Sequence, residues 1–169
     1  MNLEELRGRQ APLKERYRID ASSAALVLHA SGVLDPEGLA CRVDTHLGAV
    51  EAGLHPAAGG DPGSGCSGDM LLQALVACAG VTLAAVAKAL GIAIRSGRVE
   101  AEGDLDFRGT LGVSKEAPVG FTAIRLRFEV ETDATEDQRA NLLRLTERYC
   151  VIYQTLKTPP VLEVSSVIA

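Results

Sequence analysis

At 169 residues the chain is long enough for one domain of ordinary size with a real core, and its 47% hydrophobic and 23% charged residues are the balance of a globular soluble protein. Aromatics make up only 4% and tryptophan is absent, so the core must be built from Ala, Val, Leu and Ile. A formal net charge of −5 argues against a general nucleic-acid surface, whose electrostatic footprint is basic.

In chain order, residues 3–17 read as a charged helix interrupted by Pro12, making residues 1–20 an N-terminal arm. Residues 24–30 read as a strand. Ser31-Gly32 and Asp35-Pro-Glu-Gly38 supply turn chemistry, and residues 39–46 read as the partner strand of a hairpin. Residues 56–65 are a loop by composition. Their glycines lack the Gly-Lys-Ser/Thr element of a phosphate loop.

Ser67 is placed to cap a long helix, with Asp69 in its first turn, and Gly91 to end it. Residues 70–92 are apolar apart from Gln73, Thr82 and Lys88, long enough to cross a bilayer. Lys88 lies well inside the stretch, alanines and glycines dilute it, and no aromatic belt flanks it. We therefore expect no membrane span, but a helix buried in a protein core or a dimer interface. Residues 93–103 and 121–132 alternate like half-solvated antiparallel strands, joined through a loop at 109–120. Thr135 caps a second helix running to about Tyr149, Pro159-Pro160 ends the helical region, and residues 161–168 read as a final strand. Grouped strands with helices to one side indicate an α+β fold, expected as a single domain over 1–169 with its core in 24–168.

Four cysteines are too few for a disulfide scaffold, and no Cys-x-x-Cys or zinc-spaced Cys/His cluster occurs. The first residues lack the layout of a signal peptide, so a reducing cytoplasm is expected, with thiols free, metal-bound or catalytic. Cys78 lies inside the apolar helix. Cys150 ends the charged one, 72 positions further on. Brought together they form a two-thiol redox centre; apart they are two small core residues.

The segment Asp69-Met-Leu-Leu-Gln-Ala-Leu-Val-Ala-Cys78 resembles the central helix of the OsmC/Ohr superfamily, in which an acidic residue opens a motif of the type E-L-L-L-A-A-L-A-x-C. Gly103-Asp-Leu-Asp-Phe-Arg-Gly109, Pro118-Val-Gly-Phe121 and Glu147-Arg-Tyr-Cys150-Val-Ile-Tyr-Gln-Thr-Leu156 are similar to the later parts of such proteins, over roughly residues 24–168. The resemblance implies an OsmC-like fold, with antiparallel sheets around a long buried central helix, in an intertwined homodimer with active sites at the subunit interface. It further implies that Cys78 reduces organic hydroperoxides and that Cys150 resolves the sulfenic acid as a disulfide. A dithiol such as dihydrolipoamide on a lipoylated protein then restores the enzyme. No cofactor is expected. The chain departs from the pattern in two places: Asp69 replaces a glutamate, and Val151 replaces the proline that follows the second cysteine.

Peroxide cleavage needs a thiolate, and an ordinary cysteine, with a pKa of about 8.5, is mostly thiol at neutral pH. Burial in an apolar helix raises it further, so a nearby cation is expected to hold the thiolate. Arg42 is the first candidate, then Arg18 and Arg16. Asp69 would act by orienting that arginine, because nine helical residues separate it from Cys78 by roughly 13 Å. Cys66, at the helix entrance, is a second candidate thiol, while Cys41 and the three histidines read as packing or surface residues. The alternative function is an OsmC-like dimer without peroxidase activity that binds an apolar ligand or senses oxidants.

Overall fold

Residues 2–168, described by a computed structural model, form six strands and five α-helices in an α+β arrangement. The chain divides into two units. One comprises the chain up to Leu71 with Gly103–Ile124, the other Leu72–Glu102 with the chain from Arg125 onward.

In the first unit, α1 (Leu3–Ile19) opens with a capping box: Asn2 accepts from the Glu5 amide at 2.9 Å, and the Glu5 carboxylate accepts from the Asn2 amide at 2.9 Å. Glu4 and Glu5 lie in its first turn and Arg16 and Arg18 in its last, matching the helix dipole. The helix runs through Pro12 without the interruption expected from sequence. Pro12 removes only its own amide bond, and the carbonyl facing its ring belongs to Gly8.

Asp20 caps a 3-10 turn at Ala21–Ala24 by accepting from the Ser22 amide at 2.9 Å. The strand expected at 24–30 does not form. Beyond the turn those residues belong to no strand, and Leu26, Val27 and Leu28 are exposed. The first strand instead is β1 (Gly32–Leu34). It pairs antiparallel with β2 (Cys41–Thr45) across a turn fixed by Asp35, whose amide donates to the Ala40 carbonyl at 3.0 Å.

A strand unread in the sequence, β3 (Gly48–Gly53), begins at Gly48, whose φ of 126° only glycine adopts easily. Together with β4 (Gly65–Cys66) the sheet order is β1-β2-β3-β4, the last pair parallel. The short α3 (Phe107–Thr110) is capped by Asp106. His55 accepts from the Ala57 amide at 3.0 Å and stacks on Phe107 with ring centroids 4.9 Å apart, so its role is structural.

The helix α2 (Ser67–Leu90) begins in the first unit and runs through the second. Ser67 is its first helical residue rather than its cap. Leu75, Ala79, Leu83 and Ala87, four apart, form one buried stripe. Gly91 (φ 70°) ends it, and the Ile92 amide reaches back to the Ala87 carbonyl at 2.9 Å. Among the described residues α2 is the one helix long and apolar enough to cross a membrane.

The strands β5 (Ser96–Asp104) and β6 (Ala123–Glu131) pair as a two-stranded sheet with the expected alternation along β6. The core joins Leu83, Ala87, Ile92 and Leu142, packed by Val86, Ile94, Phe128, Val130 and Ala134. Leu142 comes from α4 (Glu136–Tyr149), opened by a Thr135–Gln138 capping box. After Cys150 comes α5 (Val151–Lys157). Residues 161–168 form no strand here: they are unpaired, and Val161, Leu162, Val164, Val167 and Ile168 are almost fully exposed.

Candidate active site

Both cysteines of interest lie in the second unit. Cys78 sits half-buried on α2, between the stripe residues Leu75 and Ala79, and Thr82 lies one turn further along the same face. Cys150 is the break between two helices. Its backbone is extended (φ −74°, ψ 108°), its amide completes α4 by donating to the Thr146 carbonyl at 2.9 Å, and its carbonyl starts α5 by accepting from the Gln154 amide at 3.0 Å. The side chain caps neither helix and is 1% exposed. Thr146, equally buried, satisfies its hydroxyl within α4 by donating to the Leu142 carbonyl at 2.8 Å.

This break leaves the first amides of α5 without intrahelical acceptors. Two of them, those of Val151 and Ile152, reach the Cys78 sulfur. Burial pushes the Cys78 thiol up, but the Ile152 amide, the Cys150 thiol, the Val151 amide and the Thr82 hydroxyl all donate to it, and together they hold it below the ordinary thiol value. Burial raises Cys150, the Tyr153 and Ile152 amides lower it in part, and its hydrogen bond to Cys78 and the Cys78 charge raise it again; it stands above the ordinary value. The two thiols are thus shifted in opposite directions, Cys78 down and Cys150 up.

The tertiary structure therefore brings Cys78 and Cys150 together. The groups of the second unit that lower Cys78 are two amides, a thiol and a hydroxyl. Arg42 lies on β2 in the first unit with its guanidinium 3.8 Å from Asp44, Arg18 pairs with Glu15 at 3.1 Å, and Arg16 lies over the Tyr17 ring. Asp69 is exposed in the first turn of α2. Cys66 is half-buried on β4, immediately before α2, and Cys41 half-buried on β2.

Sequence reasoning missed Thr82 and the amides of Val151, Ile152 and Tyr153. Thr82 carried a signal, as a polar residue four positions after Cys78 in an apolar helix. The amides carried none, since every residue but proline bears one and no sequence pattern marks them. Alongside the thiols, Arg148, Tyr149, Cys150, Val151, Gln154, Thr155, Thr158 and Pro160 line an open groove of about 470 Å³. Tyr153 donates to the Glu147 carboxylate at 3.3 Å, and Gln154 to the Glu147 carbonyl at 2.7 Å, tying α5 back to α4.

Fold and site together define an α+β protein with an adjacent, electrostatically differentiated pair of thiols. The family model for OsmC-like proteins matches residues 60–165, and the chain belongs to that family. No curated protein matches the sequence. Among solved structures the chain is similar in fold to an OsmC-like protein from Mycoplasma pneumoniae, at 16% identity over 79% of this chain and 89% of that one, with a TM-score of 0.65. An OsmC-like protein of unknown function from Vibrio cholerae is 15% identical over 79% and 96%, TM-score 0.64. An organic hydroperoxide resistance protein from Elizabethkingia anophelis, crystallised with thiocyanate bound, is 14% identical over 80% and 91%, TM-score 0.63.

Proposed function

We propose that this chain is a thiol-dependent peroxidase for organic hydroperoxides, with Cys78 as the attacking and Cys150 as the resolving cysteine. The observation that supports it is the shared hydrogen bond of the two sulfurs, with Cys78 lowered and Cys150 raised. The Cys78 thiolate attacks the terminal peroxide oxygen. An S–O bond forms, the O–O bond breaks, and the leaving alkoxide takes up a proton to depart as the alcohol. The resulting sulfenic acid is attacked by the Cys150 sulfur: an S–S bond forms and water leaves. A dithiol then reduces the disulfide, itself becoming oxidised, and returns both thiols. The apolar side chains of α2 favour an organic substrate over hydrogen peroxide.

We further propose that the chain works as a homodimer in the cytoplasm with a lipoylated protein as reductant, and that Asp69 and Arg42 assist at the assembled site. The exposed apolar segments at 25–31 and 161–168 support a second copy as their cover.

The test is peroxide consumption. Reduced protein with cumene hydroperoxide and dihydrolipoamide should turn over, and Cys78→Ser should abolish it. No turnover by the wild type, or full activity in the Cys78→Ser variant, overturns the reading. Disulfide formation without turnover would favour an oxidant sensor instead.

A further inference from the structure

The helix α1 carries a pattern that the thiol site does not use. Leu3, Leu6, Gln10, Leu13 and Tyr17 recur at alternating steps of three and four, the spacing of a coiled-coil seam. Leu3, Leu6 and Gln10 are half-buried, Leu13 and Tyr17 stand at 40% and 38% exposure, and no residue of the helix is buried. Within the chain α1 meets chiefly the 3-10 turn that follows it. A helix of 17 residues that contains glycine and proline is marginal in water without a partner for its apolar side. Gly8 and Pro12 both lie on the side of α1 away from the seam, which is left free for close packing.

The charges beside the seam define what fits it. Arg7 and Lys14 follow Leu6 and Leu13 on one flank, and Arg9 and Arg16 precede Gln10 and Tyr17 on the other. All four are exposed, and none has an ion pair among the described residues. Arg18, by contrast, is paired with Glu15 at 3.1 Å. A second copy of α1 laid on this seam would set arginine and lysine against arginine and lysine, at the positions that choose coiled-coil partners. A lipid surface takes a wide apolar face, whereas this stripe is the narrow kind that suits one helix. We propose that α1 is a docking helix for an acidic amphipathic helix of another protein, whose apolar residues close the seam and whose carboxylates pair with Arg7, Arg9, Lys14 and Arg16. Gln10, the one polar residue of the seam, sets the register, because its amide needs a polar group opposite.

The experiment titrates the full chain into a fluorescently labelled synthetic heptad peptide and follows anisotropy. One peptide has leucine at its seam positions and glutamate on both flanks; the control has lysine on the flanks. The glutamate peptide should bind saturably, at least about tenfold tighter than the lysine peptide, and more weakly as salt rises. Arg7→Glu, Arg9→Glu, Lys14→Glu and Arg16→Glu together should invert that preference. Leu6→Asp with Leu13→Asp should abolish binding of the glutamate peptide. Circular dichroism checks folding, and Leu13→Asp alone replaces the double variant if that does not fold. No binding of the glutamate peptide, equal binding of the two peptides, or binding that survives the seam substitutions overturns the proposal. Uptake by phosphatidylglycerol vesicles without peptide binding assigns the helix to lipid and overturns it as well. So does a fall in the wild-type mass by light scattering when Leu6 and Leu13 are replaced, which assigns the seam to a second copy.

Discussion

At the scale of single residues, the site works by unequal treatment of two chemically identical groups. Cys78 is lowered by two amides, a thiol and a hydroxyl, whereas Cys150 is raised, chiefly by burial. The sign follows directly. A lowered value makes Cys78 reactive at a pH where free thiols are still protonated, so its alkylation rate should rise with pH and level off below the ordinary range near about 8.5. Cys150 should be the slower thiol throughout. Cys150→Ala removes one donor, and its alkylation profile should move upward. The same variant leaves the sulfenic acid without a resolver, so one equivalent of cumene hydroperoxide should yield a dimedone adduct on Cys78 that the wild type does not accumulate.

The element scale explains why a two-residue join matters. Cys150 ends α4 and begins α5 without capping either through its side chain, and the break leaves the first amides of α5 free of intrahelical acceptors, two of which lower the Cys78 thiol. Val151 occupies the first helical position of α5, where proline is well accommodated. Val151→Pro, which restores the residue the family resemblance leads one to expect, should therefore preserve α5 while removing an amide donor from Cys78. Its alkylation midpoint should shift upward with little change in the circular dichroism spectrum.

Elsewhere the elements rest on ordinary packing. Leu83 is buried in the stripe of α2 against Leu142 of α4. Leu83→Ala should cost about 2–5 kcal/mol in urea unfolding at fixed protein concentration. Thr135→Ala, which breaks the capping box of α4, should cost about 1 kcal/mol by the same measurement.

For the whole molecule, the informative feature is apolar chain that nothing in the protomer covers. Leu26, Val27 and Leu28 are each more than 70% exposed, and Val164, Val167 and Ile168 more than 90%. Both segments alternate or cluster like strands, and neither has a ladder partner among the described residues. If a second copy covers them, light scattering after size exclusion should give twice the mass expected from the sequence, and truncation after Thr158 should shift the protein toward monomer. A wild-type monomer at micromolar concentration would defeat the dimer proposal.

What could be read in advance depended on whether a feature is local. The long helix ended by Gly91, the alternation of β6 and the Thr135 cap are all set by neighbours within a few residues, and they were legible. The strands expected at 24–30 and 161–168 were read from genuine strand composition. Composition cannot supply a partner, and a strand without a ladder is only an extended chain. Pro12 misled in the opposite direction, because one missing amide does not break a helix otherwise well capped. By itself the sequence determined the α+β class and, through its two cysteine motifs, which thiols to watch. Only the tertiary structure decided that they meet, and that backbone amides are among the groups that lower the Cys78 thiol. The first of these is a contact across 72 positions. The second arises from backbone amides, which every residue carries and no sequence pattern marks.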